Sequence, residues 1–512
     1  MGIFCMRETN KQRKRWVFLL FFTAFAFIVS GGCTALKHSV KDDVHSEGTI
    51  LTPDEYNVSR AMSNYMAGLL QEWGGNGVGA LEFYKEGLLN DPDSVILLSR
   101  IAILALRMGN TAVAISTLED IVKKYPDNII GWITLGDAYF MAGLPEDALR
   151  AYRGAAVRSP EDVRLQLQIT SILLQNGRDK EALEVLQKAL LSKNNLSSVL
   201  SFCYSQGAAF LAEKNNEMAA KLFEFIADNA PAEKAKFNLL VGSLLADMGQ
   251  IDNAIKRLKF AVSGDDATAE AYLKLAALFA EKNEDKDSAL KVLGEAREKF
   301  PDSIDVLFAY ASYLYMSNKF AEAITFFENV MAKAKEQNEV LSENFFLAFG
   351  ASLERKGEFE KAETIFKEGI ARYPKSHFLL NYLAYMWAEQ GKNLDEGLDL
   401  VNRALTEEPN NGAYVDTLGW LLFKKGKLEE ALTAVQKAND LLKKDPVINE
   451  HLGDIFDAMG DKQKAVEAWK ESFRIDSSRD VIKEKLTKNG VDIASLLSEI
   501  ENKGDNGEKE KK

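Results

Sequence analysis

A small residue recurs along most of this chain of 512 residues, at an interval close to 34 residues. The twelve positions are Ala80, Ala114, Ala148, Ala182, Ala219, Ala254, Ala289, Ala323, Ala362, Gly397, Ala431 and Ala465. Their successive spacings are 34, 34, 34, 37, 35, 35, 34, 39, 35, 34 and 34 residues. A proline follows twelve residues later at Pro92, Pro126, Pro160, Pro231, Pro301, Pro374 and Pro409. Self-similarity at this period predicts a repeat architecture, in which each unit stacks on its neighbours.

The clearest copy of the repeat predicts a helical hairpin. In order, it contains Trp132, Leu135, Gly136, Tyr139, Gly143, Ala148, Tyr152, Ala155 and Pro160. Leu135 and Tyr139 are four residues apart, so they share one face of a first helix. Gly136 and Ala148 are small enough to let two helices approach closely. Gly143 tolerates the left-handed conformation that ends a helix, and Pro160 cannot continue the second helix.

This order of residues resembles the tetratricopeptide repeat (TPR), whose signature is W-x2-L-G-x2-Y, then A-x3-F or Y, then P. The resemblance covers roughly residues 58–478, which is more than four-fifths of the chain. It implies an all-α fold, a TPR superhelical solenoid of about twelve helix-turn-helix repeats. Because these repeats serve many different partners, the fold alone does not assign a function.

Residues 1–32 have the features of a secretory signal peptide: a basic start, an apolar run from Trp16 to Val29, and small residues before Cys33. Residues 30–33 read Ser-Gly-Gly-Cys and resemble the lipobox of bacterial lipoproteins, in which the cysteine is lipidated and becomes the mature N-terminus. Ser30 departs from the leucine that the family prefers, so an uncleaved anchor and ordinary secretion stay open as alternatives. In all three cases the basic residues remain cytoplasmic and the body is exported. Thr34 after the cysteine implies the outer membrane, by the family rule of enteric bacteria.

The remaining chain is predicted to have five parts. Residues 33–57 form a lipidated N-terminus and a polar, flexible tether. The first part of the array, repeats one to eight, spans 58–338, and the second part, repeats nine to twelve, spans 342–478. The longest spacing, 39 residues, lies between Ala323 and Ala362 and predicts a joint between the two parts. Residues 479–502 form C-terminal capping helices, and 503–512 form a disordered charged tail.

Charge and motif content argue against several classes of function. The formal net charge is −13, and residues 1–32 contribute +4, which leaves −17 for the rest. This strongly negative charge after residue 32 disfavours binding to nucleic acid. The spacings GxSxG, HExxH and CxxC do not occur, and only four histidines are present. We therefore predict that the protein is not an enzyme and uses neither a metal nor another cofactor.

In the TPR family, the first helix of each hairpin lines an inner groove through the second, fifth, ninth and twelfth repeat positions. Transferred to this sequence, the resemblance predicts a partner-binding groove that contains Asn381, Tyr385, Asp416, Trp420, Phe423, Tyr204, Phe308, Ser312 and Tyr315. Tyr385 and Trp420 fall out of phase with the apolar stripe of their helices. We therefore expect both side chains to face solvent in the groove, where aromatic residues make strong contacts.

Residues 381–387 and 409–420 resemble bacterial TPR lipoproteins, some of which hold periplasmic proteases. This resemblance implies a membrane-tethered scaffold or adaptor on the periplasmic face of the outer membrane. Its protein partner would be a cell-envelope protease or a peptidoglycan hydrolase. The alternative is an assembly factor for an outer-membrane or exopolysaccharide export complex. The sequence leaves the oligomeric state, and the choice between outer and inner membrane, open.

Overall fold

The computed structural model describes residues 51–282 and 285–500. Over this part of the chain the regular structure is helical throughout, with no strand, which confirms the all-α prediction. The chain divides into two compact units, with the boundary after Arg158. The predicted signal peptide, Cys33, most of the predicted tether, and the predicted tail at 503–512 lie outside the described residues.

The first unit consists of three consecutive helical hairpins. Its helices are α1 (Pro53–Trp73), α2 (Gly77–Asn90), α3 (Val95–Arg107), α4 (Thr111–Lys124), α5 (Ile129–Met141) and α6 (Pro145–Arg158). Within each pair the two helices pack on each other, and α2 and α4 also pack on the next hairpin.

The second unit consists of nine hairpins and a further C-terminal helix. Its first ten helices are α7 (Val163–Gln175), α8 (Asp179–Ala189), α9 (Leu196–Ala212), α10 (Asn216–Asn229), α11 (Lys234–Asp247), α12 (Ile251–Val262), α13 (Ala269–Glu281), α14 (Lys286–Lys299), α15 (Ile304–Met316) and α16 (Phe320–Gln337). The others are α17 (Glu343–Arg355), α18 (Phe359–Arg372), α19 (His377–Gln390), α20 (Leu394–Glu407), α21 (Gly412–Lys424), α22 (Leu428–Leu441), α23 (Pro446–Ala458), α24 (Lys462–Ile475) and α25 (Asp480–Lys488). Residues 493–500 are also helical.

Local sequence explains where these helices begin and end. Many begin after an Asn, Asp, Ser or Thr whose side chain accepts a hydrogen bond from a free backbone N–H of the first turn. At α5, for example, Asn128 Oδ1 accepts from the Gly131 N–H at 2.8 Å. Gly143 follows α5 with a φ of +74°, the left-handed conformation that the repeat pattern predicts at this place.

The periodic small residues lie where the two helices of a hairpin meet, and all eleven alanines of the series are fully buried. Gly136 shows why the first helix also needs a small residue. A Cβ atom at this position would lie 2.7 Å from a ring carbon of Tyr152 on the second helix. Any larger residue would therefore push the hairpin apart.

The long interval between Ala323 and Ala362 arises from α16, which has 18 residues where most second helices have 14. The predicted joint at 338–342 is not where the chain divides. Val330 and Phe345, on either side of this segment, belong to the same buried apolar cluster, as does Leu341 within it. The boundary between the compact units lies instead after Arg158.

Helix α1 begins earlier than the sequence predicts. It includes residues 53–57, which the sequence analysis places in the flexible tether. Thr52 and Glu55 form a reciprocal capping box, and Pro53 occupies the first turn. Both features favour a helix start at this position. Among residues 51–282 and 285–500, no helix combines the length and hydropathy needed to span a membrane.

Candidate partner-binding surfaces on the first helices

The first helices of the hairpins, which carry odd numbers, provide the candidate binding surface. From α11 to α23, each first helix contacts the next first helix directly as well as its own partner. Contact between first helices is most extensive for α19 and α21. The row of first helices is called the first-helix wall below. A side chain on this wall can be covered by the following repeat, so its exposure depends on the neighbouring first helix.

Trp420 on α21 is buried, with only 6% of its surface exposed, contrary to the expectation that it faces solvent. Its indole stacks on Phe423, with ring centroids 4.8 Å apart, and on His451 of α23 at 3.9 Å. The indole Nε1–H donates to Glu389 of α19 at 2.5 Å. Lys424 Nζ lies 4.5 Å from the centre of the indole ring. The residue thus links three successive first helices, and the neighbouring repeat closes over it.

Asp416 is also buried, and its carboxylate contacts the imidazole of His451, which is buried as well. The His451 Nδ1 atom lies 2.9 and 3.0 Å from the two carboxylate oxygens. An Nδ1–H group in this position donates to the carboxylate and fixes the orientation of the imidazole ring. The predicted groove position of Asp416 is therefore occupied by an internal contact between α21 and α23.

Tyr385 on α19 is half-buried beside the same group of side chains. Burial raises the pKa of its hydroxyl far above the usual value, and the nearby carboxylates of Glu389, Asp416 and Glu450 raise it further. Tyr385 therefore remains a neutral phenol in an acidic environment. The structure brings Tyr385, Asp416, Trp420 and Phe423 into one cluster.

An ion-pair network continues this cluster toward the C-terminus. Glu450 accepts from Lys485 at 2.9 Å and from Arg479, and Lys485 also contacts Asp454 at 2.6 Å. Burial alone would raise the pKa of Glu450, but these hydrogen bonds and charges hold the pKa below its usual range. The basic groups near α25 thus neutralise part of the acidic wall of α23.

The predicted groove residues on α15 are half-buried, and they contact neighbouring aromatic rings or the backbone of their own helix. Phe308 is half-buried, and its ring centre lies 6.2 Å from that of Phe327 and 6.0 Å from that of Phe345. Ser312 Oγ donates to the Phe308 carbonyl oxygen within the helix at 2.8 Å. Tyr315 is half-buried with its ring 5.8 Å from Phe320.

Asn381 on α19 differs from these residues, because its side-chain oxygen is buried without a hydrogen-bond partner in the described part of the chain. An unpaired buried amide oxygen is costly. A donor from a bound molecule would satisfy it, which fits the role predicted from the repeat position. Asn381 stays a candidate contact on this basis.

Tyr204 on α9 is the predicted groove residue with the most open environment, since 54% of its surface is exposed. Its ring lies on two buried aromatic residues, Phe223 and Phe237, with both ring centroids 6.3 Å away. Beside it is an open cavity of about 530 Å³. The cavity is lined by Leu196, Ser197, Leu200, Ser201, Tyr204, Ile226, Glu233, Lys236 and Phe237.

Several residues of the wall were not found by sequence analysis, among them His451, Glu389, Glu450 and Lys485. A signal was nevertheless present, because the partners are separated by about one repeat. The contacts Asp416–His451 and Glu450–Lys485 each span 35 residues, and Trp420–Glu389 spans 31. A search for complementary side chains one repeat apart would have found these pairs.

The clusters on the wall are built from aromatic contacts and ion pairs. Within residues 51–282 and 285–500, no group of three or more His, Cys, Asp or Glu side chains is arranged to bind a metal ion.

Sequence comparison relates most of the array to one family. Two family profiles, both described as tetratricopeptide repeat, match the chain. One matches residues 99–163 and 133–198, and the other matches residues 195–396. A TPR repeat-containing protein of Pseudomonas aeruginosa is 22% identical over 229 residues, which are 44% of this chain. The aligned region is 32% of that protein, so the chain spans about a third of the length of this relative.

Solved structures to which the chain is similar include the Cut9–Hcn1 hetero-tetramer of APC/C and yeast Tom70. The first is 12% identical with a TM-score of 0.40, covering 86% of this chain and 97% of that one. Tom70 is 16% identical with a TM-score of 0.33, covering 86% and 99%. A tetratricopeptide repeat protein from Parabacteroides merdae is 17% identical with a TM-score of 0.31, covering 57% and 98%.

Proposed function

The chain is a tetratricopeptide-repeat protein, and we propose that it is a membrane-tethered adaptor that binds a protein partner in the bacterial periplasm. The tether is the lipidated Cys33 predicted from the sequence. The partner is a cell-envelope protease or peptidoglycan hydrolase, which the adaptor brings near its substrates. Tetratricopeptide repeats bind proteins, and this general role requires no catalytic group in the array.

The observation that carries the proposal is the open cavity beside Tyr204. In this place the described residues leave an apolar floor on the first-helix wall open, and α9 and α11 pack less closely than the first helices that follow. Tyr204 is exposed, yet its ring is supported by Phe223 and Phe237. A rigid aromatic residue of this kind loses little conformational entropy on binding.

The lining of the cavity indicates which part of a partner it would bind. Leu196, Leu200 and Phe237 provide an apolar floor for an aliphatic or aromatic side chain, and Glu233 and Lys236 lie among the polar lining residues. Lys236 and Glu233 form an exposed ion pair with each other at 3.2 Å, and such a pair contributes little energy. Either residue can therefore exchange its partner for a charge beside the bound side chain.

Affinity purification from cross-linked envelopes tests the proposal. The full chain, its Tyr204→Ala variant and a matched control, Phe260→Ala on the second helix α12, would be purified under the same conditions. We expect an envelope hydrolase to co-purify with the wild type and the control. Tyr204→Ala should weaken binding of the purified partner by roughly thirtyfold or more, as for an aromatic hot spot. Equal recovery with Tyr204→Ala, or no enriched hydrolase, would overturn the proposal.

The tether has a separate test. Mass spectrometry of the mature N-terminus should find an acylated Cys33, and Cys33→Ala should accumulate as an unprocessed precursor. An unmodified N-terminus at another residue would exclude lipidation while leaving the binding role of the array open.

A further inference from the structure

Helix α1 carries an apolar stripe that the other residues of 51–282 and 285–500 leave exposed. The α1 stripe consists of Tyr56, Val58, Met62, Met66, Leu70 and Trp73. Each of these side chains is at least half exposed, and Trp73 reaches 75%. Four of them, from Val58 to Leu70, follow one another at intervals of four residues and therefore form a continuous line along the helix. Contiguous apolar surface of this kind marks an interaction site.

Two of the six positions, Met66 and Leu70, are buried in a repeat that follows another repeat. Met66 and Leu70 stand two residues before and two residues after Gly68, where the first helix meets its partner. In α5 of the same unit, the equivalent residues around Gly136 are Thr134 and Ala138, which are 8% and 0% exposed. Helix α4 of the preceding hairpin packs on α5. Met66 and Leu70 thus lie where a preceding helix would pack, whereas Met62 and Trp73 correspond to Ile130 and Met141 of α5, which are 64% and 49% exposed.

We propose that the α1 stripe of one molecule packs against the α1 stripe of a second copy, which makes the protein a homodimer through its first helix. A two-fold axis perpendicular to the helices would place them side by side in opposite directions, so that each stripe faces the other. At typical side-chain areas, the exposed fractions correspond to at most on the order of 700 Å² per copy, which would be reached if every stripe residue were covered, against roughly 800 Å² per partner in a standard protein interface.

The charges around the stripe disfavour a lipid surface. Helices that lie on bilayers carry Lys and Arg on their polar face. Helix α1 has a single basic residue, Arg60, against Asp54, Glu55 and Glu72. Glu72 is engaged within the unit, because it accepts from Arg107 at 3.0 Å and from the Tyr84 hydroxyl at 2.5 Å. An apolar stripe with acidic surroundings is poorly suited to anionic headgroups.

Cysteine cross-linking on the full chain tests the proposal. Met66→Cys lies near the middle of the stripe, so the two-fold axis brings both copies of this position within reach of a short bis-maleimide. The native Cys203 will not interfere, since it is fully buried and burial raises the pKa of its thiol to about 12. The wild type controls for Cys33. Val157→Cys, an exposed residue on α6 of the same unit, controls for random collision.

We expect a product of twice the chain mass from Met66→Cys and not from Val157→Cys or the wild type. Adding Leu70→Lys should reduce this product by about tenfold or more, because it buries an unpaired charge in the interface. Met62→Cys replaces Met66→Cys if the latter lowers the melting temperature.

The other occupants give different results, and each would overturn the proposal. A product of another mass indicates a different protein partner. Absence of a product together with maleimide labelling indicates a free stripe. Labelling that appears only after detergent extraction indicates a lipid surface. Absence of labelling before and after extraction indicates that residues 1–50 cover the stripe.

Discussion

His451 lies flat against the indole of Trp420, with the ring centroids 3.9 Å apart and the planes inclined by 12°. The two residues belong to first helices of successive repeats. Asp416 holds the imidazole from the side, and Glu389 of the preceding repeat accepts the indole N–H. Around Trp420, the first helices α19, α21 and α23 therefore form an internal interface. Trp420 contacts successive repeats there and does not face a free groove.

Trp420→Ala should behave as a core substitution. Removing the indole leaves a cavity between α21 and α23 and an unpaired Glu389, so we expect a loss of about 3–5 kcal/mol in the free energy of unfolding. Tyr204→Ala is the matched control, because it also truncates an aromatic residue on a first helix but one that is more than half exposed. Thermal and urea unfolding of both variants would check this. Equal melting temperatures would show that Trp420 is not part of the core.

The sequence predicts the repeats well because their key contacts lie within one hairpin. The spacing of Ala148 from Gly136, and of Gly136 from Gly143, is enough to place the close helix approach and the left-handed turn. The exposure of Trp420 could not be predicted from the same pattern. Its helical phase points away from the core of its own hairpin, but His451, 31 residues later, covers it. The burial of Trp420 depends on how the next repeat packs, and the sequence pattern of a single helix does not show this packing.

The contact between Asp416 and His451 should be strongly coupled. Both side chains are buried, so Asp416→Ala leaves the His451 Nδ1 atom without its hydrogen-bond partner, at a cost of about 1–3 kcal/mol. A double-mutant cycle with Asp416→Asn and His451→Gln should give a coupling energy of roughly 0.5–3 kcal/mol. The control cycle uses Lys427 and Glu430, an exposed pair on α22 and its preceding turn, for which coupling below about 1 kcal/mol is expected. Similar coupling in both cycles would contradict the structural role of the buried pair.

Glu363 on α18 should make stability fall in acid. It accepts from Lys367 at 2.7 Å and from the Trp387 indole at 3.0 Å, and it pairs with Lys392 at 3.3 Å. Burial opposes ionisation, but these contacts prevail and lower the pKa of Glu363 from 4.5 to about 2. Because the folded pKa lies below the unfolded one, the stabilisation is complete above pH 4.5 and is lost as the pH falls toward 2. It amounts to on the order of 2 kcal/mol.

The corresponding variant is Glu363→Gln, with Glu368→Gln, an exposed residue of the same helix, as the control. Unfolding free energies measured from pH 6 to pH 2.5 should depend less on pH in Glu363→Gln than in the wild type. The control should follow the wild type. If both variants show the full acid dependence, the carboxylate of Glu363 does not contribute to it.

Limited proteolysis should cut the second unit first at residues 190–196 rather than at 338–342. Leu191 is 84% exposed, a short 3-10 turn at Lys193–Asn195 follows it, and α8 packs only sparsely on α9. Such a segment opens locally at low cost. At 338–342, by contrast, Leu341 is buried in an apolar cluster, and its carbonyl oxygen accepts from the Tyr373 hydroxyl at 2.7 Å. A protease that cleaves beside large apolar residues should therefore release a fragment ending near Leu191, and Leu191→Asp should delay this cut without lowering the melting temperature. A first cut within 338–342 would instead support the joint between repeats eight and nine that the 39-residue spacing predicts.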